Sequence, residues 1–490
     1  MRIALDIYLL IGAMVLGVPI AWAQQQEPDQ SSQPAQPSQP IPAYHSPLAS
    51  AADNAQETGN ADSEKLLPDT TALTGIQDFS LGMPATNHSY WQPHVDLSST
   101  VDSNPLVANG QAGWTVFTSI SGGVDLHRNS GNSMLNLSYV GGGSFSNEGG
   151  VSDGVLQGLN FSERLSYRRY VLSFFDQLMY APQTAFGAAG IPNGPTLPGL
   201  GFGNGYTPGQ SILTARGQRL TNFSAGEMDV LLTPRTSLTF VGGYQLLDSI
   251  DDPQANYGEA IFSAGYNYQL SRQNTVGLSY QYSDINYRNI TQSIKNNIIS
   301  VAFGRRITGK LAFQASGGPD IVLIRMPLTL PPATSGGEAV STTTGYMTQV
   351  YASINAAVQY QLRQVSTSAA YTHGITGGSG VLAGAVTDNF TGSVSRQFSR
   401  TFNVGWNVGY SRNRGIQIAG TTAANETFDY WFAGANVSHP LGRTMNIFLG
   451  YQFQYQNTGA SVCNGPGCAG SVTRNQVIFG FGWHKQPIPF

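Results

Sequence analysis

The chain has 490 residues, of which only 11% are charged, and its formal net charge is −4. An ordinary soluble domain carries roughly 25% charged residues, so a conventional ionic surface is excluded. The small net charge favours neither nucleic acid nor an anionic membrane surface as a partner. After the N-terminus no run of about 18 apolar residues could cross a bilayer as a helix, which excludes a helical membrane protein.

The chain opens with features of an export signal. Ile7 to Ile20 form an apolar core, and Ala21-Trp22-Ala23 has the small-x-small pattern that signal peptidase cleaves. We therefore predict a signal peptide over residues 1–23; the alternative is an uncleaved membrane anchor, for which this core is short. Residues 24–87 are rich in Pro, Gln and Ser and show no apolar period, which predicts a disordered periplasmic leader.

From residue 88 onward, apolar and polar side chains alternate with the period of two of a β-strand. The stretches VYASINAAVQYQL and MNIFLGYQFQYQ are two examples, and each is near the 9 to 11 residues that a tilted strand needs to cross hydrocarbon. A soluble sandwich would alternate too, but its outer face would be charged. Here the polar face carries Gln, Asn, Ser, Thr and Gly, so we predict that it lines a water-filled lumen while the apolar face meets lipid.

Short junctions separate the strands, and most carry Arg or a turn residue: HRNSGNS, SYRRY, LTPRTS, QLSRQN, RRITGK, QLRQVS, QFSRTF and PLGRTM. They recur about every 36 to 42 residues, the length of a membrane hairpin, except for two intervals lengthened by Gly/Pro-rich inserts at 182–210 and 326–345. We predict an all-β fold over residues 88–490, an antiparallel transmembrane β-barrel of about 18 strands, with 16 as the alternative. Short turns are expected in the periplasm and long loops outside the cell.

Two local features qualify this pattern. Leu311 to Ile324 is the weakest strand, because Pro319 cannot donate to a ladder and the run Ile321 to Ile324 does not alternate, so we expect a bulge or loop there. Aromatic residues near strand ends suit girdles at the membrane interfaces. The girdle candidates are Tyr90, Trp91, Tyr139, Tyr244, Trp406, Tyr410, Tyr430, Trp431 and Trp483.

The two cysteines, Cys463 and Cys468 in SVCNGPGCAG, flank a sequence that can turn sharply. In an oxidising compartment this spacing favours a local disulfide. The alternative, a metal pair, would need two further ligands, and none lies close in sequence. We predict neither a metal nor another cofactor.

No catalytic motif stands out, and the chain is predicted not to be an enzyme. Of the seven histidines only His373 is expected near the extracellular rim, and no nearby pairing in sequence makes it a base. About eighteen strands would enclose an aqueous lumen, and a lining of amides suits neutral polar solutes such as sugars. The insert 182–210 either folds inward as a constriction or stays a surface loop. The lumen-lining candidates are Asn355, Gln359, Gln361, Asn403, Asn407, Gln452, Gln454 and Gln456.

The Arg-bearing turns, the opening WQPHVDLSSTVDSNP (Trp91 to Pro105) and the Pro/Gln-rich leader together resemble the bacterial β-barrel porin family found with exopolysaccharide and capsule loci. The resemblance covers about four-fifths of the chain through diffuse motifs. It implies passage of a polysaccharide outward. The chain departs from alginate-type exporters in lacking an Arg-rich lumen, which puts an acidic polymer in doubt.

Two functions follow as hypotheses. The first is an outer-membrane channel of a Gram-negative-type bacterium for polar solutes, or the exit of an exopolysaccharide system with a periplasmic export partner. The second is a non-conducting barrel that acts in structure or adhesion through its extracellular loops. In both cases the expected partners include outer-membrane lipid and the barrel-assembly machinery, and no nucleic acid.

Overall fold

A computed structural model describes twelve segments of the chain: residues 89–103, 114–146, 154–182, 218–249, 256–308, 310–330, 341–362, 365–378, 383–399, 402–416, 427–458 and 471–490. The predicted signal peptide, the leader, both cysteines and most of the 182–210 insert lie outside the described residues. Within those twelve segments, no helix is long and apolar enough to cross a membrane.

The described residues form eighteen long strands and one short one. They are β1 (Tyr90–Asp102), β2 (Thr115–Ser130), β3 (Ser133–Ser146), β4 (Gly154–Ser166), β5 (Tyr170–Pro182), β6 (Gln218–Thr233), β7 (Thr236–Ser249), β8 (Tyr257–Gln269), β9 (Asn274–Tyr287), β10 (Ser293–Thr308), β11 (Leu311–Leu330), β12 (Ser341–Gln361), β13 (Val365–Gly378), β14 (Ala383–Ser399), β15 (Phe402–Gly415), β16 (Thr427–Leu441), β17 (Met445–Thr458), β18 (Ser471–His484) and β19 (Ile488–Pro489).

The sheet closes on itself. Each long strand pairs antiparallel with its neighbours in chain order, and β1 pairs with both β2 and β18. At this seam His94 lies opposite His484 and Asp102 lies opposite Gln476. Closure gives every long strand two partners, as a sheet in lipid requires. The predicted antiparallel barrel of about 18 strands is confirmed.

The two ends of the barrel differ in their connections. Short turns join β2 to β3 and every second pair after it, at the eight junctions predicted from the sequence. Gly131 and Gly442 occupy two of these turns with φ of 55° and 81°, a backbone conformation that glycine adopts at little cost. The long connections all lie at the opposite end. Because tight turns face the periplasm in outer-membrane barrels, we name the two ends periplasmic and extracellular.

The bulge or loop expected between Leu311 and Ile324 is absent, so this prediction is wrong. The strand runs from Leu311 to Leu330 and pairs with β12 along its whole length. Pro319 is tolerated because pairing with β10 is interrupted beside it, where Ile299 and Ser300 have no partner on β11, so the missing N–H breaks no ladder bond. The hairpin also extends into the predicted 326–345 loop, since residues 326–330 pair with 341–345.

The outer surface is apolar. Val350 is 68% exposed, Leu449 51% and Phe479 56%, whereas the next polar neighbours along the chain point to the other face. A closed barrel with such a belt is the architecture of an outer-membrane protein, so the chain is located in that membrane.

Aromatic residues flank this belt, with two exceptions to the prediction. Trp91, Tyr139, Tyr244, Trp406, Trp431 and Trp483 are exposed large aromatics. Tyr410 stacks on Trp431 with 4.2 Å between ring centroids. Tyr430 does not belong to a girdle: it is fully buried and faces inward, because it alternates with the outward Trp431. Tyr90 also faces inward, because it alternates with the outward Trp91 and its ring lies 5.5 Å from that of the buried His127.

Outward tyrosines repeat one contact that marks the extracellular girdle. Each hydroxyl donates to an Asn or Asp on the following strand. This acceptor residue lies two positions nearer the extracellular end than the residue that pairs directly with the tyrosine. The four pairs are Tyr280 to Asn297 (2.8 Å), Tyr371 to Asp388 (2.9 Å), Tyr410 to Asp429 (2.9 Å) and Tyr451 to Asn475 (2.8 Å). Tyrosine suits this depth because its ring packs with lipid while its hydroxyl meets the polar layer.

Candidate functional site: the lumen

The eight predicted lumen residues lie on the strand faces opposite the exposed apolar side chains, but they differ in accessibility. Asn355 and Asn403 are exposed. Four others, Gln359, Gln361, Asn407 and Gln452, are half-buried, and Gln454 and Gln456 are buried. Their lining of a conducting path stays a prediction.

Gln454 belongs to a buried network at the barrel seam. Its Nε2 lies 3.5 Å from Gln476 Oε1, and Gln476 Nε2 donates to Asp102 at 3.0 Å. Arg474 donates from Nε to both Asp102 oxygens, at 2.9 and 2.8 Å, and its Nη2 also contacts this carboxylate. The network joins β17, β18 and β1 near the extracellular end, so these side chains tie the first strand to the last.

The opposite wall carries an apolar cluster inside the lumen, which we call the lumen cluster. Its buried members are Leu247, Tyr257, Ile285, Tyr287, Ile294, Val322, Ile324, Met326 and Ile416. Strict alternation of exposure along residues 319–326 shows that Val322 and Ile324 point inward while Ile321 and Leu323 point outward. The absence of alternation in the run from Ile321 to Ile324 was the sequence signal for this cluster, because both of its faces are apolar.

The lumen cluster connects strands that are not neighbours. Tyr287 on β9 donates its hydroxyl to the Gly377 carbonyl oxygen on β13 at 2.5 Å, although three strands separate them. Gly377 lies against the Tyr257 ring, and Gly384 lies against Ile294, close enough that a Cβ on either glycine would collide. The extracellular part of the lumen is therefore narrowed by apolar side chains from several strands.

The inner face also carries charges, in addition to the amides predicted from the sequence. Inward acidic residues include Asp102, Glu227, Asp229, Glu259 and Asp320, and inward basic residues include Arg164, Arg306 and Arg474. At the periplasmic mouth His94 Nδ1 lies 3.2 Å from Asp125. The periodicity argument missed them because alternation separates apolar from polar positions and does not distinguish a charged side chain from an amide. Within the part of the chain that the structure describes, no three His, Cys, Asp or Glu side chains could hold a metal ion.

His373 has a partner that sequence spacing did not show. Its Nδ1 lies 2.6 Å from Asp388 Oδ1, and Arg414 Nη2 contacts the other oxygen at 3.2 Å. The pair faces outward above the girdle, and the residue opposite His373 on β12 is Ile354, which supplies no nucleophile. The three side chains form a surface cluster held together by the Arg414–Asp388 ion pair and the His373–Asp388 hydrogen bond.

The structure is similar to solved proteins from Pseudomonas aeruginosa. The outer membrane protein OpdK shares 10% identity over 81% of this chain and 99% of its own, with a TM-score of 0.39. OpdQ shares 11% identity over 82% and 99%, with a TM-score of 0.39, and OccK2 (OpdF) shares 11% over 81% and 98%, with a TM-score of 0.40. No protein-family model matches the sequence, and no curated protein is detectably similar to it.

Proposed function

We propose that this protein is an outer-membrane channel for small polar solutes. The observation that carries the proposal is the division of faces in one closed sheet: Val350 and Leu449 meet lipid, while the amides of Asn355 and Asn403 point inward and are accessible. A lumen of this strand number holds water, and accessible amides exchange hydrogen bonds with a passing solute.

The proposal includes export through residues 1–23, insertion by the barrel-assembly machinery and a disulfide between Cys463 and Cys468. Export of a polysaccharide through this barrel, with the help of a periplasmic partner, remains a prediction that rests on the family resemblance alone. The lumen cluster favours small solutes over a polymer, because a polymer chain would have to displace the buried side chains of the cluster.

Conductance in planar bilayers tests the channel directly. The purified full chain should give stepwise single-channel currents in KCl, whereas a structural or adhesive barrel should give none. If the chain were instead an enzyme that hydrolyses membrane lipid through His373, the His373→Ala variant would alter the lipid composition. We expect this variant to leave the lipid composition unchanged.

Labelling gives a second, independent readout. In a background with both native cysteines replaced by serine, Asn403→Cys should react with a membrane-impermeant maleimide in the folded, membrane-inserted barrel. Leu449→Cys should react only after unfolding, because it faces lipid. Equal reactivity of the two folded variants would contradict the assignment of faces.

A further inference from the structure

A carboxylate on the inner face of β11 has no counterion. The Asp320 side chain is fully buried, and neither oxygen has a well-formed hydrogen bond, the Asn297 backbone amide making only a looser contact. The residues directly opposite are Ile298 on β10 and Tyr351 on β12, and the described residues place no basic side chain in an ion pair with it. A buried carboxylate is strongly disfavoured unless a proton or a cation accompanies it.

The polar side chains next to Asp320 on this face give their hydrogens to other partners. Asn296 on β10 donates Nδ2 to Ser283 Oγ at 3.1 Å, and its buried Oδ1 has no partner. Asn296 lies opposite Val322, one diagonal step from Asp320 on the same face. Tyr351 donates its hydroxyl to Gln349 and so leaves only oxygen lone pairs for Asp320.

We propose that the Asp320 carboxylate, the Asn296 amide oxygen and the Tyr351 hydroxyl oxygen form a cation site in the lumen. All three are acceptors, which suits an ammonium group with its hydrogen-bond donors or an alkali-metal ion with its preference for oxygen. One carboxylate matches one positive charge. The inference rests on the proposed channel function and names a solute class for it, namely small monovalent cations and primary amines.

The lumen cluster completes the site. Val322 and Ile324 follow Asp320 on the same inward face, and Tyr351 packs against the cluster. Apolar surroundings strengthen the attraction between the carboxylate and a cation, because they lower the local dielectric constant. Val322 and Ile324 are fully buried, so a short alkylammonium ion with its charge at Asp320 would have to part these side chains to pack its carbons against them.

Two measurements on the purified full chain test the site. The first is the reversal potential in asymmetric KCl, which gives the K⁺/Cl⁻ permeability ratio. The second is calorimetric titration with n-butylammonium chloride in detergent, which needs no conduction. The test variant is Asp320→Asn, which keeps size and removes charge, and the matched control is Asp429→Asn, an acid on the outer surface that contacts Tyr410.

For Asp320→Asn we expect the K⁺/Cl⁻ ratio to fall and the butylammonium affinity to drop by about tenfold. Asp429→Asn should match the native chain in both. If Asp320→Asn lowers the K⁺/Cl⁻ ratio but the native chain binds no butylammonium, the site takes alkali-metal ions alone. If Asp320→Asn lowers both the K⁺/Cl⁻ ratio and the butylammonium affinity, the site takes amines as well. If Asp320→Asn changes neither measurement, the cation site is wrong. If no variant conducts but butylammonium binding still requires Asp320, the site stands and the channel function fails.

Discussion

Replacing Arg474 by methionine is expected to weaken the barrel at its seam. Arg474 and Asp102 are 2% and 0% exposed, and several charge-assisted hydrogen bonds join them. Methionine keeps the bulk of the arginine stem but leaves the Asp102 charge buried without its guanidinium partner. Removal of one member of a buried pair costs about 3–5 kcal/mol, so we expect the free energy of unfolding to fall by this amount.

A double variant separates the pair from its surroundings. In Arg474→Met combined with Asp102→Asn, both charges are gone, and the asparagine oxygen can still accept the hydrogen bond from Gln476 Nε2. Replacement of a whole buried pair is often nearly neutral. The double variant should therefore recover most of the stability that the single variant loses.

Urea unfolding from lipid vesicles, followed by tryptophan fluorescence, measures these free energies by linear extrapolation. The matched control is Arg414→Met, since Arg414 pairs with Asp388 on the outer surface at 3.2 Å and is 48% exposed. Exposed pairs contribute about 0–1 kcal/mol. The reasoning is refuted if Arg474→Met costs no more than the control, or if the double variant is as unstable as the single one.

Three further experiments test the faces of the strands, the close approach of two strands and the lumen cluster. Leu449→Arg should cost about 2–4 kcal/mol and impair insertion, whereas Asn403→Arg should insert normally, as judged by heat-modifiable mobility on gels. Gly318→Ala should lower thermal stability, because the added Cβ collides with the Ile299 carbonyl oxygen; an unchanged melting curve would contradict this close approach. Tyr287→Phe removes a hydrogen bond across the lumen and should lower the free energy of unfolding in urea by about 0.5–1.5 kcal/mol. The same variant should raise the single-channel conductance. An unaltered conductance would mean that the lumen cluster does not narrow the path.

The architecture could be predicted because it depends on a local property repeated along the chain. The alternation in VYASINAAVQYQL assigns a face to each residue without knowledge of any partner strand, and β12 carries that face assignment in the structure. The eight short junctions were equally local, because tight turns need only a few residues. Strand number, connection asymmetry and membrane location all followed.

The interior could not be predicted in this way. Tyr430 and Trp431 are neighbours and both aromatic, so alternation alone does not say which of the two faces the lumen. The structure shows that Trp431 faces outward and Tyr430 inward. Pro319 argues against a strand in isolation, yet β11 accommodates it through interrupted pairing with one neighbour alone. His373 gained its carboxylate partner through the pairing of β13 with β14, which places Asp388 directly opposite.

The sequence by itself determined which side chains meet lipid and which meet the lumen, since a strand exposes alternate residues to opposite faces whatever lies beside it. Only the tertiary structure decided which inward residues meet one another. Arg474 and Asp102 lie 372 positions apart and touch because the sheet closes, and Tyr287 reaches Gly377 because the barrel wall curves. The same closure buries Asp320 beneath the lumen cluster without an ion pair among the described residues, an arrangement that no local pattern in the chain encodes.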